Sequence, residues 1–179
     1  LDDGMTELAI VYASVLNGLT MGAVYALIAL GLTLIYGVLH IINFAHGAAL
    51  MMALYGVYGL KESFGLDPYA SLPVMIPAMF GVGYVLQRWV IQKASHGKDE
   101  NILLVTLGLA IVLENLALLW FKSDTRTIDT AYTLATLELG SATIALPKLV
   151  AFAGALVVSA LLWLVMSKTD LGRAIRAVA

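Results

Sequence analysis

The sequence predicts an all-α protein, a polytopic bundle of transmembrane helices with a short outer β-hairpin in one loop. Of its 179 residues, 61% are hydrophobic and only 12% are charged, and the mean hydropathy is +0.92. A soluble domain of this size cannot hide so much apolar surface. Several uncharged runs also reach the roughly 20 residues that a helix needs to cross a bilayer. We therefore expect a single transmembrane domain over residues 1–179.

Charge and cysteine content narrow the function classes. The formal net charge of −2 does not indicate nucleic-acid binding. The absence of cysteine excludes disulfides and thiolate metal sites, and we expect no metal or cofactor. The first residues, LDDGMTE, are acidic, unlike the start of a signal peptide. Because the chain begins with Leu1, we take Met5 as a candidate native start.

Residues 8–30 form the first predicted crossing, because no charge interrupts them. Gly18 and Gly22 make a GxxxG pair, which favours close packing against another helix. Asn17 and Thr20 lie in the same region and can form hydrogen bonds across helices. Asn17 is also a candidate residue of a substrate path.

Residues 31–60 form an apolar run with polar side chains near its middle. These side chains are His40, Asn43 and His46. Such an interruption is typical of a broken helix at a transport site, where protein or a cavity surrounds the irregular backbone. We predict that the helix stops near Gly37–His40 and restarts at Asn43, with Asn43 as the N-cap. The alternative is an ordinary helix whose polar groups bond to neighbouring helices. Residues 8–60 then hold two crossings, or two crossings and a partial one.

Residues 70–92 form the next predicted crossing, after a short polar link with a turn at Asp67-Pro68. Pro73 and Pro77 lie in its first half and favour a kink. Trp89 marks the far membrane interface. A solvated loop follows over residues 93–101.

Residues 102–121 are predicted to cross the membrane with Glu114 and Asn115 well inside the apolar run. Thr106, Ala110 and Glu114 are four residues apart and are expected to share one helix face. An intramembrane carboxylate is costly, so Glu114 is expected to face the bundle interior. It either lines a path, or forms a buried bond between helices, or extends toward the end of the helix.

The longest polar segment, residues 122–147, precedes the last crossing. A hairpin with a Gly-first turn is predicted there. Its parts are Thr136–Leu139, the turn Gly140–Ser141, and Thr143–Leu146. Pro147 opens the last predicted crossing, residues 148–167.

The chain ends with KTDLGRAIRAVA, residues 168–179. Thr169 can cap a helix, and Asp170 is favourable in its first turn. Arg173 and Arg176 are three residues apart and make a basic face. The alternative is an ordinary positively charged membrane border.

The distribution of basic residues predicts the topology. One side carries Arg88, Lys93, Lys98, Lys168, Arg173 and Arg176, and the other carries Lys61, Lys122, Arg126 and Lys148. The first side is expected to be cytoplasmic. Two crossings within residues 8–60 would then place the N-terminus outside.

Two motifs resemble the branched-chain amino-acid ABC transporter permeases of the LivH type. The run AVYALIALGLTLIYGVLHIINFAHGA, residues 23–48, resembles their N-terminal signature. The run TDLGRAIRAVA, residues 169–179, resembles the segment that these permeases present to their ATPase subunits. The chain departs from the family at Ala48, where many relatives have an acidic residue. Relatives also continue further, so the chain resembles the first three-fifths of a permease.

The resemblance implies a multi-pass permease in the bacterial inner membrane. It would pair with a second, LivM-like permease and two ATP-binding subunits, and a periplasmic binding protein would deliver leucine, isoleucine or valine. No enzyme activity is expected, since the sequence contains no GxxxxGK[ST], HExxH or GxSxG motif. The alternatives are a permease for urea or short amides, whose motifs are similar, an ATP-independent transporter or channel, and a non-transporting membrane interaction subunit.

These implications give three sets of expected functional residues. The substrate path is expected to involve Asn17, Asn43, His46, Glu114 and Asn115. Coupling to the ATPase is expected to involve Thr169, Asp170, Gly172, Arg173 and Arg176, with Gly172 allowing close approach and the arginines meeting acidic groups. The restarting helix would direct its positive end at a substrate carboxylate. Phe44, Leu50 and Met51 would accommodate an aliphatic side chain.

Overall fold

The computed structural model describes residues 2–39, 42–95, 99–130, 132–139, 142–170 and 172–173. Its elements are α1 (Asp2–Leu39), α2 (His46–Phe64), α3 (Leu72–Leu86), a π-helical turn (Gln87–Ile91), α4 (Gln92–Ser95), α5 (Asp99–Phe121), β1 (Thr136–Leu139), β2 (Ala142–Ala145) and α6 (Leu146–Lys168). They form two compact units. The first unit comprises Leu1–Leu39 and Asp129–Ala179, and the second comprises His40–Ile128.

Four helical stretches in the described part of the chain are long and apolar enough to cross a membrane. They are Ala9–Gly37, Leu72–Ala94, Asn101–Phe121 and Leu146–Lys168. Large apolar side chains on each of them are exposed in the isolated chain, as expected of helices that face lipid or other subunits. The predicted all-α fold with one small hairpin is confirmed.

The boundary predicted at residue 30 is wrong, because α1 continues to Leu39. Apolar helix-forming residues follow Gly31, and a single glycine does not end such a run. The apolar window Ala9–Gly37 has 29 residues, about 44 Å at 1.5 Å per residue, which exceeds the ~30 Å hydrocarbon core of a bilayer. α2 has 19 residues and is not among the four candidates, since polar residues at both of its ends lower its hydropathy.

In the first unit, α1 packs against α6 and against β2. β1 and β2 pair antiparallel from Thr136 opposite Ala145 to Leu139 opposite Ala142. This confirms the hairpin, one residue earlier in its second strand than predicted, and the turn at 140–141 lies outside the described residues. Ile144 anchors the hairpin with only 1% of its surface exposed. Pro147 lies in the first turn of α6, as predicted.

In the second unit, α2 and α5 lie side by side and run in the same direction. The backbone at Phe44 contacts Thr106, and Tyr55 stacks on Phe121 with ring centroids 4.1 Å apart. The contacting residues advance in the same order along α2 and along α5, so these two helices are parallel. α3, which follows α2 in the chain, runs back in the opposite direction. The connections after α2 and after α5 therefore lie at the same end of this unit, in agreement with the side predicted for Lys61 and Lys122.

The connection from α2 to α3 is a compact turn, as Asp67-Pro68 predicted. Gly65 ends α2 in the left-handed conformation, with φ 66°, and its N–H donates to the Lys61 carbonyl at 2.9 Å. The Asp67 carboxylate accepts the Tyr69 N–H at 2.9 Å, and the buried Ser71 hydroxyl donates to the Pro68 carbonyl at 2.6 Å. Partial burial raises the pKa of the Tyr69 phenol above its ordinary value, and the nearby Asp67 carboxylate makes a smaller contribution in the same direction.

The far end of α3 carries a π-helical turn rather than a plain helix end. Pro73 occupies the first turn of α3, and the helix continues through Pro77 to Leu86. In the turn that follows, the Arg88 guanidinium donates to the Tyr84 hydroxyl at 3.0 Å. The Lys93 ammonium lies 5.7 Å from the ring centroid of Trp89. Exposed aromatic and basic side chains of this kind are typical of a membrane interface.

We predict that Gly65→Ala lowers the stability of the protein, whereas Gly59→Ala in the same helix does not. An added Cβ meets no atom within 4 Å at either position, but only Gly65 has a positive φ. Alanine in that conformation should cost roughly 1–2 kcal/mol, while replacing a helical glycine should gain about 0.5–1 kcal/mol.

The measurement is the thermal unfolding midpoint of the detergent-solubilised variants. Equal midpoints for the two variants would show that the left-handed residue does not govern the end of α2.

Candidate functional site

The helix break predicted within residues 31–60 is confirmed, since α1 ends at Leu39 and α2 begins at His46. His40 lies outside the described residues. The N-cap assignment to Asn43 is wrong, because the N-cap is Ala45. The Asn43 side-chain carbonyl accepts the Ala45 N–H at 3.0 Å, and its backbone carbonyl accepts the His46 N–H at 3.2 Å. Asn43 therefore forms a local turn just before the helix instead of capping it. A short Asn side chain can take either role, because both use its side-chain oxygen to accept a nearby backbone N–H.

Thr106 of α5 holds the irregular segment in place. Its hydroxyl accepts the Phe44 N–H at 3.3 Å and donates to the Leu103 carbonyl at 3.1 Å, and only 1% of its surface is exposed. Thr106 lies five residues inside the apolar window that starts at Asn101, about 8 Å along the helix. The non-helical backbone at Phe44 thus has a hydrogen-bond partner within the protein, as irregular backbone inside a membrane requires.

Alanine contacts bring the start of α2 close to α5. Ala45, Ala48 and Ala110 form one buried cluster, with Leu109 and Leu113 packed against it. Ala48 has only 4% of its surface exposed. A carboxylate at this position would enter a tightly packed apolar contact without a neighbouring charge in this cluster.

Each residue turns a helix by about 100°, so eight residues leave Glu114 about 80° away from Thr106 on α5. Thr106, Ala110 and Ala117 are buried, whereas Glu114 is exposed in the isolated chain. The interior position expected for Glu114 stays a prediction. Asn115 is also exposed, and its side-chain amide donates to the Ile111 carbonyl at 2.7 Å. The two polar side chains lie about 12 Å further along α5 than Thr106.

Asn17 has a partner within the first unit, which gives it a structural role. The Lys148 ammonium donates to the Asn17 side-chain carbonyl at 3.1 Å, and the Asn17 amide donates to the Ala13 carbonyl at 3.0 Å. The predicted bond across helices is confirmed for Asn17. Thr20 instead bonds within its own helix, to the Leu16 and Asn17 carbonyls.

The GxxxG pair lies on an exposed face of α1. Gly18 and Gly22 are both exposed, and an added Cβ at either would meet no described atom within 4 Å. Their role in helix packing stays a prediction.

The N-cap predicted at Thr169 is confirmed. Its hydroxyl accepts the Gly172 N–H at 3.2 Å, and its carbonyl accepts the Arg173 N–H at 3.1 Å. Asp170 follows in the first turn and forms an ion pair with Arg173. A new helical turn therefore starts right after α6, and Arg176 lies outside the described residues.

Gly172 is expected to allow a close approach of an ATPase, but the close contact observed is with another part of the same chain. It is buried, and an added Cβ would lie 2.6 Å from both the Cα and the carbonyl carbon of Met166. Backbone atoms cannot move aside as a flexible side chain can, so a larger residue would displace the turn. The turn in this position therefore requires glycine, and contact of Gly172 with an ATPase stays a prediction.

A cleft that the sequence interpretation missed lies at the other end of α2. It encloses about 430 Å³ between α2 and the segment after α5. Its lining residues are Met51, Leu54, Tyr55, Val57, Tyr58, Asp124, Thr125, Arg126 and Ile128. The spacing of Met51, Leu54, Tyr55 and Tyr58 indicates one helix face, but no pattern predicts that the later segment covers it. In the described part of the chain, no cluster of three or more metal-ligating side chains occurs.

Comparison with known proteins identifies the family. A family model described as the permease component of branched-chain amino acid transport systems matches residues 14–179. The high-affinity branched-chain amino acid transport system permease protein BraD of Pseudomonas aeruginosa is 31% identical over 190 residues, which cover 98% of this chain and 61% of BraD. The chain therefore spans about three-fifths of the length of that relative.

Two further relatives match over shorter stretches. The permease protein LivH of Salmonella typhimurium is 32% identical over 108 residues, 55% of this chain and 35% of LivH. The probable branched-chain amino acid transport permease protein LivH of Methanocaldococcus jannaschii is 32% identical over 110 residues, 60% of this chain and 31% of that protein. No solved structure matches. The resemblance inferred from the motifs is confirmed: the chain is a multi-pass membrane protein and belongs to the family of permease components of branched-chain amino acid transport systems.

Proposed function

We propose that the chain is a permease subunit of an ABC importer for branched-chain amino acids in a bacterial plasma membrane. The observation that carries the proposal is the family match over residues 14–179. The four apolar helices supply the membrane part of such an importer. A permease for urea or short amides stays the alternative, since those families share similar motifs.

The transport energy comes from partner subunits in this proposal. The sequence has no phosphate-binding loop of the form GxxxxGK[ST], so ATP hydrolysis falls to two separate ATP-binding subunits. A second, LivM-like permease completes the path, and a periplasmic protein delivers the substrate. Membership of this permease family supports the assignment of these partners.

The break before α2 forms part of the substrate path. The first turn of α2 has no acidic side chain, so the partial positive charge of the helix end is available for a substrate carboxylate. Asn43 and His46 lie at this helix end. Glu114 and Asn115 belong to the same path or to the contact with the second permease, because lipid exposure of an intramembrane carboxylate costs several kcal/mol.

The capped turn after α6 is the coupling element. Thr169 and Gly172 fix its start against the end of α6, and Arg173 is exposed on it. A rigid basic turn at the cytoplasmic end of a crossing can transmit movement from an ATPase with an acidic groove.

The direct test is uptake into proteoliposomes that contain the full importer. We expect ATP-dependent uptake of radiolabelled leucine, which excess isoleucine or valine inhibits and excess urea or acetamide does not. Inhibition by urea or acetamide in place of isoleucine would favour the amide permease. Uptake without ATP or without the ATPase subunits would favour a secondary transporter or channel.

Asn43→Leu is predicted to lower leucine uptake at least tenfold while the complex still assembles. The change leaves the Ala45 N–H without its acceptor, which costs roughly 1–3 kcal/mol at a buried position. Asn43→Asp keeps an acceptor oxygen and is the matched control for the turn geometry. Normal uptake kinetics of Asn43→Leu in a correctly assembled complex would remove Asn43 from the path.

Arg173→Glu is predicted to uncouple ATP hydrolysis from uptake, and Arg176→Glu to act in the same way. Because Arg173 also pairs with Asp170, a double exchange, Asp170→Arg with Arg173→Asp, keeps that local ion pair and serves as the control. The double variant should stay uncoupled if Arg173 meets the ATPase. Restored coupling in the double variant would assign Arg173 to local stability alone. The measurements are ATPase activity and leucine uptake of the same proteoliposomes.

A further inference from the structure

The cleft between α2 and residues 124–128 has one apolar wall and one charged rim. Met51, Leu54 and Val57 contribute aliphatic surface from α2, and Ile128 contributes it from the opposite side. The volume of about 430 Å³ lies in the range of small-molecule sites, which are mainly apolar with a few placed polar groups. The cleft is therefore suited to a small ligand with an aliphatic part.

The rim carries both signs of charge in a loose arrangement. The Arg126 guanidinium lies 3.8 Å from the Asp124 carboxylate, at the outer limit of an ion pair and beyond hydrogen-bond distance. It also lies 5.9 Å from the ring centroid of Tyr58. The side chains of Arg126 and Asp124 are 38% and 71% exposed. Both groups can therefore bind a ligand without the loss of a short, buried salt bridge.

Aromatic contacts hold α2 against the end of α5 beside the cleft. Tyr55 stacks on Phe121 at 4.1 Å, and Tyr58 meets the edge of the same ring at 6.4 Å. These contacts hold the end of α5 against α2, so the segment that carries Asp124 and Arg126 begins from a fixed point. A preformed site binds with a smaller ordering cost than a mobile one.

We propose that this cleft binds a free zwitterionic amino acid with an aliphatic side chain. Arg126 receives the carboxylate, Asp124 receives the ammonium group, and Met51, Leu54, Val57 and Ile128 surround the side chain. The inference rests on the proposed transport function and adds a second place where the permease recognises its substrate.

The position of the cleft indicates that a substrate reaches it before it reaches the break near Asn43. The connections after α2 and after α5 lie at one end of the second unit, and the cleft lies at that end. The charge distribution predicts that this end faces the outside of the membrane. A substrate released there by a binding protein is retained at the outer face before it reaches the break near Asn43. A ligand with only one charge, or with a polar side chain, would leave one part of the cleft unmatched.

The test is equilibrium binding of radiolabelled leucine to the intact importer in nanodiscs, without the periplasmic binding protein. We expect saturable binding, which unlabelled serine displaces at least tenfold less well than unlabelled leucine. Arg126→Leu should weaken leucine binding about tenfold but should not weaken binding of 3-methylbutylamine, which has no carboxylate. Asp124→Asn should weaken leucine binding but should not weaken binding of 4-methylpentanoate, which has no ammonium group.

Arg88→Leu is the matched control, because it removes an exposed arginine at the opposite end of the same unit and should leave leucine binding unchanged. Thermal unfolding of each variant identifies any that fails to fold, and Asp124→Asn, at a highly exposed position, tests the site independently of Arg126. Absence of leucine binding, or equal leucine affinity in wild type and both cleft variants, overturns the inference. If leucine uptake by the full importer persists in that case, only the cleft assignment fails, whereas loss of wild-type uptake contradicts the proposed function itself.

Discussion

The second unit depends on one requirement, that a non-helical backbone inside an apolar layer must find its hydrogen-bond partners within the protein. The Thr106 hydroxyl satisfies the Phe44 N–H, and the Asn43 side chain satisfies the Ala45 N–H. Without these two acceptors, two backbone amides of the break would have no hydrogen-bond partner within the protein.

The size of the side chains between α2 and α5 changes along the pair of helices. At the start of α2, alanines allow close contact, as in many membrane helix pairs. At the other end, Tyr55, Tyr58 and Phe121 pack as rings, which need more space than methyl groups. The same two helices therefore form a tight apolar contact at the break and an open cleft eleven residues later. One end supports the backbone geometry of the break, and the other end leaves the cleft open.

Polar interactions in the first unit hold both ends of α6. Lys148 near the start of α6 bonds to Asn17 of α1, and Thr169 after α6 caps the following turn. Gly172 brings that turn onto the Met166 backbone. The apolar middle of α6 thus connects two fixed ends.

The sequence by itself determined those features that depend on local composition and spacing. It predicted the apolar helices, the hairpin near residues 136–145, the break after Leu39 and the Thr169 cap, because hydropathy, turn chemistry and capping act over a few neighbouring residues. It also determined the family, through two motifs near the ends of the chain. The tertiary structure decided what depends on distant partners. It gave Asn17 the partner Lys148, gave the Phe44 N–H the acceptor Thr106, and placed Arg126 over the face of Tyr58. The residues of each pair lie tens of residues apart in the chain, and no local pattern records which distant residues meet.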